Sequence, residues 1–285
     1  MQVATEQAEV RRILEEVRCS GHSVGFVATM GAFHEGHISL ICRSVAENDF
    51  TVVSNFVNPL QFAPDEDFEK YPRNLPEDNR HCELQGADLV FAPTGEEMFR
   101  HPPLVSVHMG ELAVILEGAH RDGHLIGVAT IVTKLFSIVG QCRAYFGEKD
   151  WQQLTLVRRL VADLSLPVEV VGCPIVRESD GLALSSRNRY LSGHDRDRAG
   201  ILSRALKHGI EMIKAGESNP AAVVLEMEEM IGPVADKLGY ATVVVADSLQ
   251  MPDSLPASEP LRLLAAAHFG SARLIDNMGH DPAKL

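Results

Sequence analysis

The chain has 285 residues, 45% of them hydrophobic and 23% charged, an ordinary globular composition that excludes disorder as its main state. With 26 Lys and Arg against 39 Asp and Glu the formal charge is −13, which argues against a general nucleic-acid binder, whose phosphate contacts need a basic face. No stretch reaches the roughly 18 uncharged apolar residues of a membrane-spanning helix and the mixed, charged start is unlike a signal peptide, so a cytoplasmic protein with no nucleic-acid or membrane partner is expected.

In chain order, Val10, Ile13, Leu14 and Val17 fall on one helical face, and Gly21 is placed to stop that helix. A short β-branched strand follows at 23–28, then a helical pattern through Ile38, Ile41 and Val45, then a strand at 51–57. The alternation repeats as helix 76–85 into strand 88–92, helix 130–139 into strand 144–146, and helix 151–163 into strand 168–171. Such βαβ repetition predicts an open, mostly parallel α/β sheet covered by helices, a Rossmann-like architecture. Past Pro174 the pattern changes to helices over 196–215 and 221–238 and strands near 242–246, 261–268 and 272–276, a smaller α+β unit. The expected division is therefore 1–175 and 176–285. Five cysteines, odd in number and widely spread, exclude a CxxC zinc ribbon and fit buried, inert thiols.

The residues that carry chemistry cluster where these strands end, the edge at which open α/β sheets bind ligands. After the first strand comes Thr29-Met30-Gly31-Ala32-Phe33-His34-Glu35-Gly36-His37. Its glycines let backbone approach a ligand, its two histidines share the first turn of the next helix, and a helix N-terminus favours phosphate. Two surface histidines near a turn, or two zinc ligands completed by His81, His120 or His124, are the alternatives. After the next strand, Asn58 and Gln61 offer amides that donate and accept, suited to a hydroxy acid, although Asn58-Pro59 also starts ordinary turns. Leu116 to His124 puts Arg121 in a Gly-flanked loop where it could meet a carboxylate or simply be solvated. Phe146 to Gln153 brings Gly147 for a tight turn, Lys149 as a point charge and Asp150 as cap or ribose partner. Finally, a turn at Asp180-Gly181 leads to Ser185-Ser186-Arg187, two hydroxyls and a guanidinium that can grip a triphosphate.

In this order the segments TMGAFHEGH, FVNPLQF, LEGAHRDGH, FGEKDWQQ and DGLALSSRNRYL, with ARLIDN at 272–277, resemble the pantothenate synthetase (pantoate–β-alanine ligase) family of the HIGH-type nucleotidyltransferase superfamily, almost end to end. The resemblance implies ATP-dependent condensation of (R)-pantoate with β-alanine through pantoyl adenylate, releasing AMP and pyrophosphate, in a homodimer whose second domain acts as a lid. It places Met30, Gly31, Ala32, Phe33, His34, Glu35, Gly36, His37, Gly147, Glu148, Lys149, Asp150, Val176, Leu184, Ser185, Ser186 and Arg187 at ATP. His34, His37, Lys149 and Arg187 become the catalytic set. Gln61, Gln153, Asn58 and Arg121 fall to pantoate and Gln61 also to β-alanine, with Mg²⁺ brought by ATP and no metal bound by the protein itself. Three positions depart from the family pattern: Ala28 for Pro, Asn55 for an apolar strand residue, and Asp122 for the Pro after the loop arginine. They raise three expectations, a change in loop order, an Asn55 in need of a partner, and an Arg121 weakened by the neighbouring acid. Without the resemblance, the residues also admit a nucleotidyltransferase making a nucleotide conjugate, a nucleotide-binding regulator, and a zinc hydrolase.

Overall fold

A computed structural model describes residues 1–64, 66, 68–255 and 259–281. The chain divides into two compact units, Met1–Glu148 with Gln152–Pro174, and Lys149–Trp151 with Ile175–Leu285.

In the first unit, β1 (Gln2–Ala4) and α1 (Gln7–Cys19) precede a βαβ unit of β2 (Val24–Thr29), α2 (Glu35–Glu47) and β3 (Phe50–Asn55). Then come α3 (Leu75–Leu84), β4 (Leu89–Phe91), the single turns α4 (Gly95–Met98) and α5 (Glu117–His120), α6 (His124–Val139), β5 (Cys142–Gly147), α7 (Trp151–Asp163) and β6 (Val168–Cys173). The strands pair in parallel in the order β1-β4-β3-β2-β5-β6, as the alternating pattern predicts. From β2 the chain steps outward to β3 and β4, then crosses back to β5 and β6. The order therefore reverses between β2 and β5, and the carboxyl ends there form the crevice.

Both sheet faces are covered because successive side chains leave a strand in opposite directions. Phe26 and Phe146 meet Phe136 of α6 at ring separations of 6.2 and 6.3 Å. Their neighbours Val27 and Tyr145 lie in a buried cluster with Leu40 and Ile41 of α2 and Cys82 of α3. Sequence periodicity misses β1, three residues that pair with β4. It also starts α6 late, since the turn from His124 to Ala129 is already helical.

The second unit contains α8 (Gly193–Ala199), α9 (Ile201–Lys214), α10 (Pro220–Ile231) and an antiparallel sheet β7 (Lys237–Val245), β8 (Leu261–Phe269), β9 (Ala272–His280) in that order. Leu202, Leu206 and Ile210 of α9 and Val223, Met227 and Ile231 of α10 share one core with Val243, Leu263, Ala265 and Leu274. Two expectations are corrected here. The single helix over 196–215 breaks at Gly200, and the helix over 221–238 ends at Ile231, before Gly232, with Lys237 and Leu238 already in β7.

The thiols also need a correction. Cys82, Cys142 and Cys173 are buried, with burial pushing the first two up to about 12, whereas Cys19 and Cys42 are exposed. Among the described residues no helix is long and apolar enough to cross a membrane.

Candidate functional site

The loop between β2 and α2 is shaped by a buried acid that local pattern does not reveal. Gly31 takes φ +80° and Ala32 φ +54°, left-handed conformations that expose consecutive N–H groups in one direction. The Asp78 carboxylate, 3% exposed, accepts from Ala32 N and Phe33 N at 3.1 Å each and from the Asn55 side-chain amide at 3.0 Å. Asn55 thus has the partner its position demanded, and the loop has a support independent of Ala28. At Gly31 a Cβ would lie 2.6 Å from Asn55 Oδ1 and 2.7 Å from Asp78 Oδ2, so glycine is required by space as well as by φ.

His34 caps α2: its Nδ1 accepts from Gly36 N at 3.1 Å, and His37 Nδ1 accepts from His34 N at 3.4 Å. The rings lie 4.1 Å apart, centre to centre. Because both Nδ1 atoms accept, each neutral ring carries its proton on Nε2, which assigns two Nε2–H donors to the start of α2. Met30, Phe33, Gly36 and both histidines are partly buried, and Glu35 is exposed.

The turn after β3 is held with equal care. Asn58, 1% exposed, accepts from Leu60 N at 3.2 Å and donates to Gln61 Oε1 at 3.1 Å and Gly127 O at 3.2 Å. Gly127 permits this, since a Cβ there would run into the Leu60 carbonyl. Asn58 therefore sits beneath Gln61 with its amide fully engaged, and fixing Oε1 leaves the Gln61 Nε2–H₂ as the donor end. His124 secures the backbone, its Nδ1 2.8 Å from Gln61 O and its Nε2 2.8 Å from Arg121 Nη1. A guanidinium only donates, so Nε2 accepts and Nδ1–H donates. Burial, with Arg121 adding to it, pushes His124 down to about 4, so this ring is neutral.

The acid that engages Arg121 is not its neighbour Asp122. It is Glu66, in a bidentate pair with both bonds at 2.7 Å. Burial raises the Glu66 carboxyl, but the bonds from Arg121 outweigh it and hold the group below the usual glutamate range. On α7, the buried Gln152 donates to Leu112 O and Ile115 O and accepts from Glu117 N, all at 2.9 Å, while Gln153 beside it is only partly buried.

In the second unit, residues 176–184 form a hairpin. Arg177 bridges Ala183, Leu184 N donates to Val176 O at 3.0 Å, and Gly181 takes φ +92° at the tip. Arg196 grips that tip through both Asp180 oxygens. Ser185 then caps a 3₁₀ turn over Ser186–Tyr190, accepting from Arg187 N at 3.3 Å. Lys149, with 19% of its side chain exposed, lies 3.5 Å from Asp150 Oδ1. Its carbonyl accepts from Asn277 at 2.7 Å.

The first unit thus unites the residues expected after β2 and β3 with supports that sequence reasoning missed. Asp78 falls within the predicted helix 76–85, and no spacing signals its reach across 46 residues to Ala32. The chain matches the profile of the family described as pantoate-beta-alanine ligase over residues 2–279. It is 46% identical over 278 residues to pantothenate synthetase 1 of Bradyrhizobium diazoefficiens, with 98% of each chain covered. Among solved structures, pantothenate synthetase from Thermus thermophilus matches with a TM-score of 0.91 at 46% identity over 98% of this chain and 99% of that one. Pantoate-beta-alanine ligase from Francisella tularensis, complexed with beta-gamma ATP and beta-alanine, matches with a TM-score of 0.78 at 33% identity over 98% and 97%.

Proposed function

The chain belongs to the pantoate–β-alanine ligase family and condenses pantoate with β-alanine through an acyl adenylate, releasing AMP and pyrophosphate, and we propose that the loop after β2 serves the adenylating step on ATP. The observation that carries this assignment is the pair His34 and His37, both Nδ1 atoms engaged by backbone and both Nε2–H groups at a helix N-terminus.

A carboxylate is a poor acylating group, and joining it to AMP supplies the leaving group that the amine needs. The carboxylate oxygen of (R)-pantoate attacks the α-phosphorus, the bond to the bridging oxygen breaks, and pyrophosphate leaves with that electron pair. Charge then grows on phosphate oxygens, where prearranged donors act most strongly. His34 and His37 supply two of these, His37 as proton donor. Met30 to Phe33, Glu35, Gly36, Gly147, Glu148, Asp150, Val176 and Leu184 contact the nucleotide. Lys149, Ser185, Ser186 and Arg187 are assigned to the phosphates on their motif match. In the second step the β-alanine nitrogen attacks the acyl carbon and AMP leaves with the electrons of the acyl–oxygen bond.

Gln61 and Gln153 hold pantoate and Gln61 borders β-alanine, whereas Asn58 and Arg121 act through Gln61, one from its side chain and one through His124. Mg²⁺ arrives on the ATP phosphates. Asp78, the buried acid nearest that loop, has its oxygens engaged by three N–H donors, which fits an ion held chiefly by the nucleotide's own oxygens. The working form is a cytoplasmic homodimer.

With ATP and pantoate alone, the protein is expected to exchange labelled pyrophosphate into ATP and to release AMP in step with pantothenate only once β-alanine is added. Exchange that ignores pantoate would overturn the assignment.

A further inference from the structure

The ARLIDN segment at 272–277 is part of the family resemblance, yet it lies outside every residue so far assigned to substrate. In β9 its last two residues are almost fully buried, Asp276 at 2% and Asn277 at 1% exposure. Neighbours in a strand point to opposite faces, and these two reach different segments of the second unit. Asp276 takes the Arg177 guanidinium at 2.6 and 2.9 Å, and Arg177 also donates to Gly181 O at 2.9 Å, which ties the 176–184 hairpin to β9. Asn277 Nδ2 donates to Lys149 O at 2.7 Å, and Asn277 Oδ1 accepts from Arg262 Nε at 2.6 Å. Arg262 in turn lies 3.7 Å over the Trp151 ring, whose Nε1 donates to Ala246 O at 2.9 Å. The two residues flanking Asp150 are thus fixed from β8 and β9, Lys149 through its carbonyl and Trp151 through its ring, within one hydrogen-bonded and stacked set.

We infer that Asn277, oriented by Arg262, is a positioning residue for Lys149, so that the last strand governs phosphate contacts it does not itself make. This rests on the assignment of Lys149 to the phosphates. Lys has a long flexible stem, so its ammonium is only as well placed as the backbone that carries it. A carbonyl pinned on one side and an indole pinned on the other remove the rotation that would swing Lys149 away. An error of about 1 Å in such a group costs on the order of a hundredfold in rate.

Asn277→Asp tests this, because it keeps the volume and the acceptor for Arg262 while replacing the donor to Lys149 O by an oxygen. Pantoate-dependent exchange of pyrophosphate into ATP is expected to fall about tenfold or more, mainly in kcat, while aminolysis of supplied pantoyl adenylate by β-alanine stays within about twofold. A merely structural role lowers both half-reactions by the same factor, and that result overturns the inference, as does exchange within about twofold of the parent. Lys149→Ala is measured alongside. If it loses exchange while Asn277→Asp does not, the inference fails and the assignment of Lys149 stands. Unchanged exchange in Lys149→Ala removes the assignment, and the inference with it. Should Asn277→Asp not fold, Arg262→Lys, which keeps the charge but loses the planar stack and the Nε donor, is read by the same split between half-reactions.

Discussion

The loop after β2 and the turn after β3 leave neighbouring strands of one sheet and are supported in opposite senses. Behind the loop stands an acceptor, the Asp78 carboxylate, which takes two backbone N–H groups and the Asn55 amide. Behind Gln61 in the turn stand donors, Asn58 Nδ2 on its Oε1 and His124 Nδ1–H on its carbonyl, while Asn58 Oδ1 accepts from Leu60 N. An anion site needs a backbone bent so that its remaining N–H groups converge, and the bend at Gly31 and Ala32 is held by absorbing the adjacent donors from the rear. A hydroxy-acid site needs one amide facing a known way, which is achieved by occupying its acceptor end. The support is complementary to the backbone it holds, and in each case it is buried.

The largest effect is expected on the acceptor side. Asp78→Ala leaves Ala32 N, Phe33 N and the Asn55 amide without their acceptor, at roughly 1–3 kcal/mol for each buried donor left unsatisfied. A loss of about 4 kcal/mol in urea unfolding and a fall of about a hundredfold in pantoate-dependent exchange follow, since the loop can relax away from its left-handed conformation. Exchange within about threefold of the parent would show that the loop keeps its shape without the acid, and the contrast between the two supports would collapse.

Much of this arrangement is legible in sequence, and the boundary of legibility is physical. Alternating periodicities show the parallel sheet and hence the edge at which Met30 to His37, Gln61 and Gly147 must lie. They also show the smaller unit, though Gly200 and Gly232 interrupt helices that periodicity alone would continue. What stays hidden is support from a distance. Asp78 reaches back 46 residues to Ala32, Asn58 reaches forward 69 to Gly127, and Asn277 reaches back 128 to Lys149. Each of these is a common polar residue whose local context explains it adequately, as a first-turn acid, a turn starter or a strand-end amide. Arg121 shows the same limit from the other side. Its sequence neighbour Asp122 looks like its partner, but the fold supplies Glu66.

On the donor side the support is a neutral imidazole, so it should be the acid-sensitive one. His124 has a folded-state value of about 4, below its ordinary value near 6.5, and protonation therefore favours the unfolded chain. Its contribution is complete above about pH 6.5 and is lost as the pH falls towards 4, which amounts to about 2 kcal/mol between pH 7.5 and pH 5. The lowered carboxyl of Glu66 contributes in the same direction only below its own ordinary range, so between pH 6.5 and 5 the contribution from this turn is that of His124. Urea midpoints of the parent and of His124→Gln across that window measure it. Equal slopes in the two proteins would mean that the turn after β3 does not depend on a neutral ring.

The third strand end gives the smallest change in stability and tests whether the contrast extends to it. Gly147 ends β5 without the positive φ of Gly31, and a Cβ built there meets nothing within 4 Å. β5 does pass at once into a 3₁₀ turn over Glu148–Asp150, the tight turn that the FGEKD sequence suggests, but neither the φ nor a packing contact at Gly147 demands glycine. Gly147→Ala should therefore change stability by no more than about 0.5 kcal/mol, the scale of a surface substitution. Yet if nucleotide lies against this backbone, the added methyl group occupies its space and the KM for ATP should rise several-fold while the melting temperature stays put. An unchanged KM would remove Gly147 from the nucleotide site.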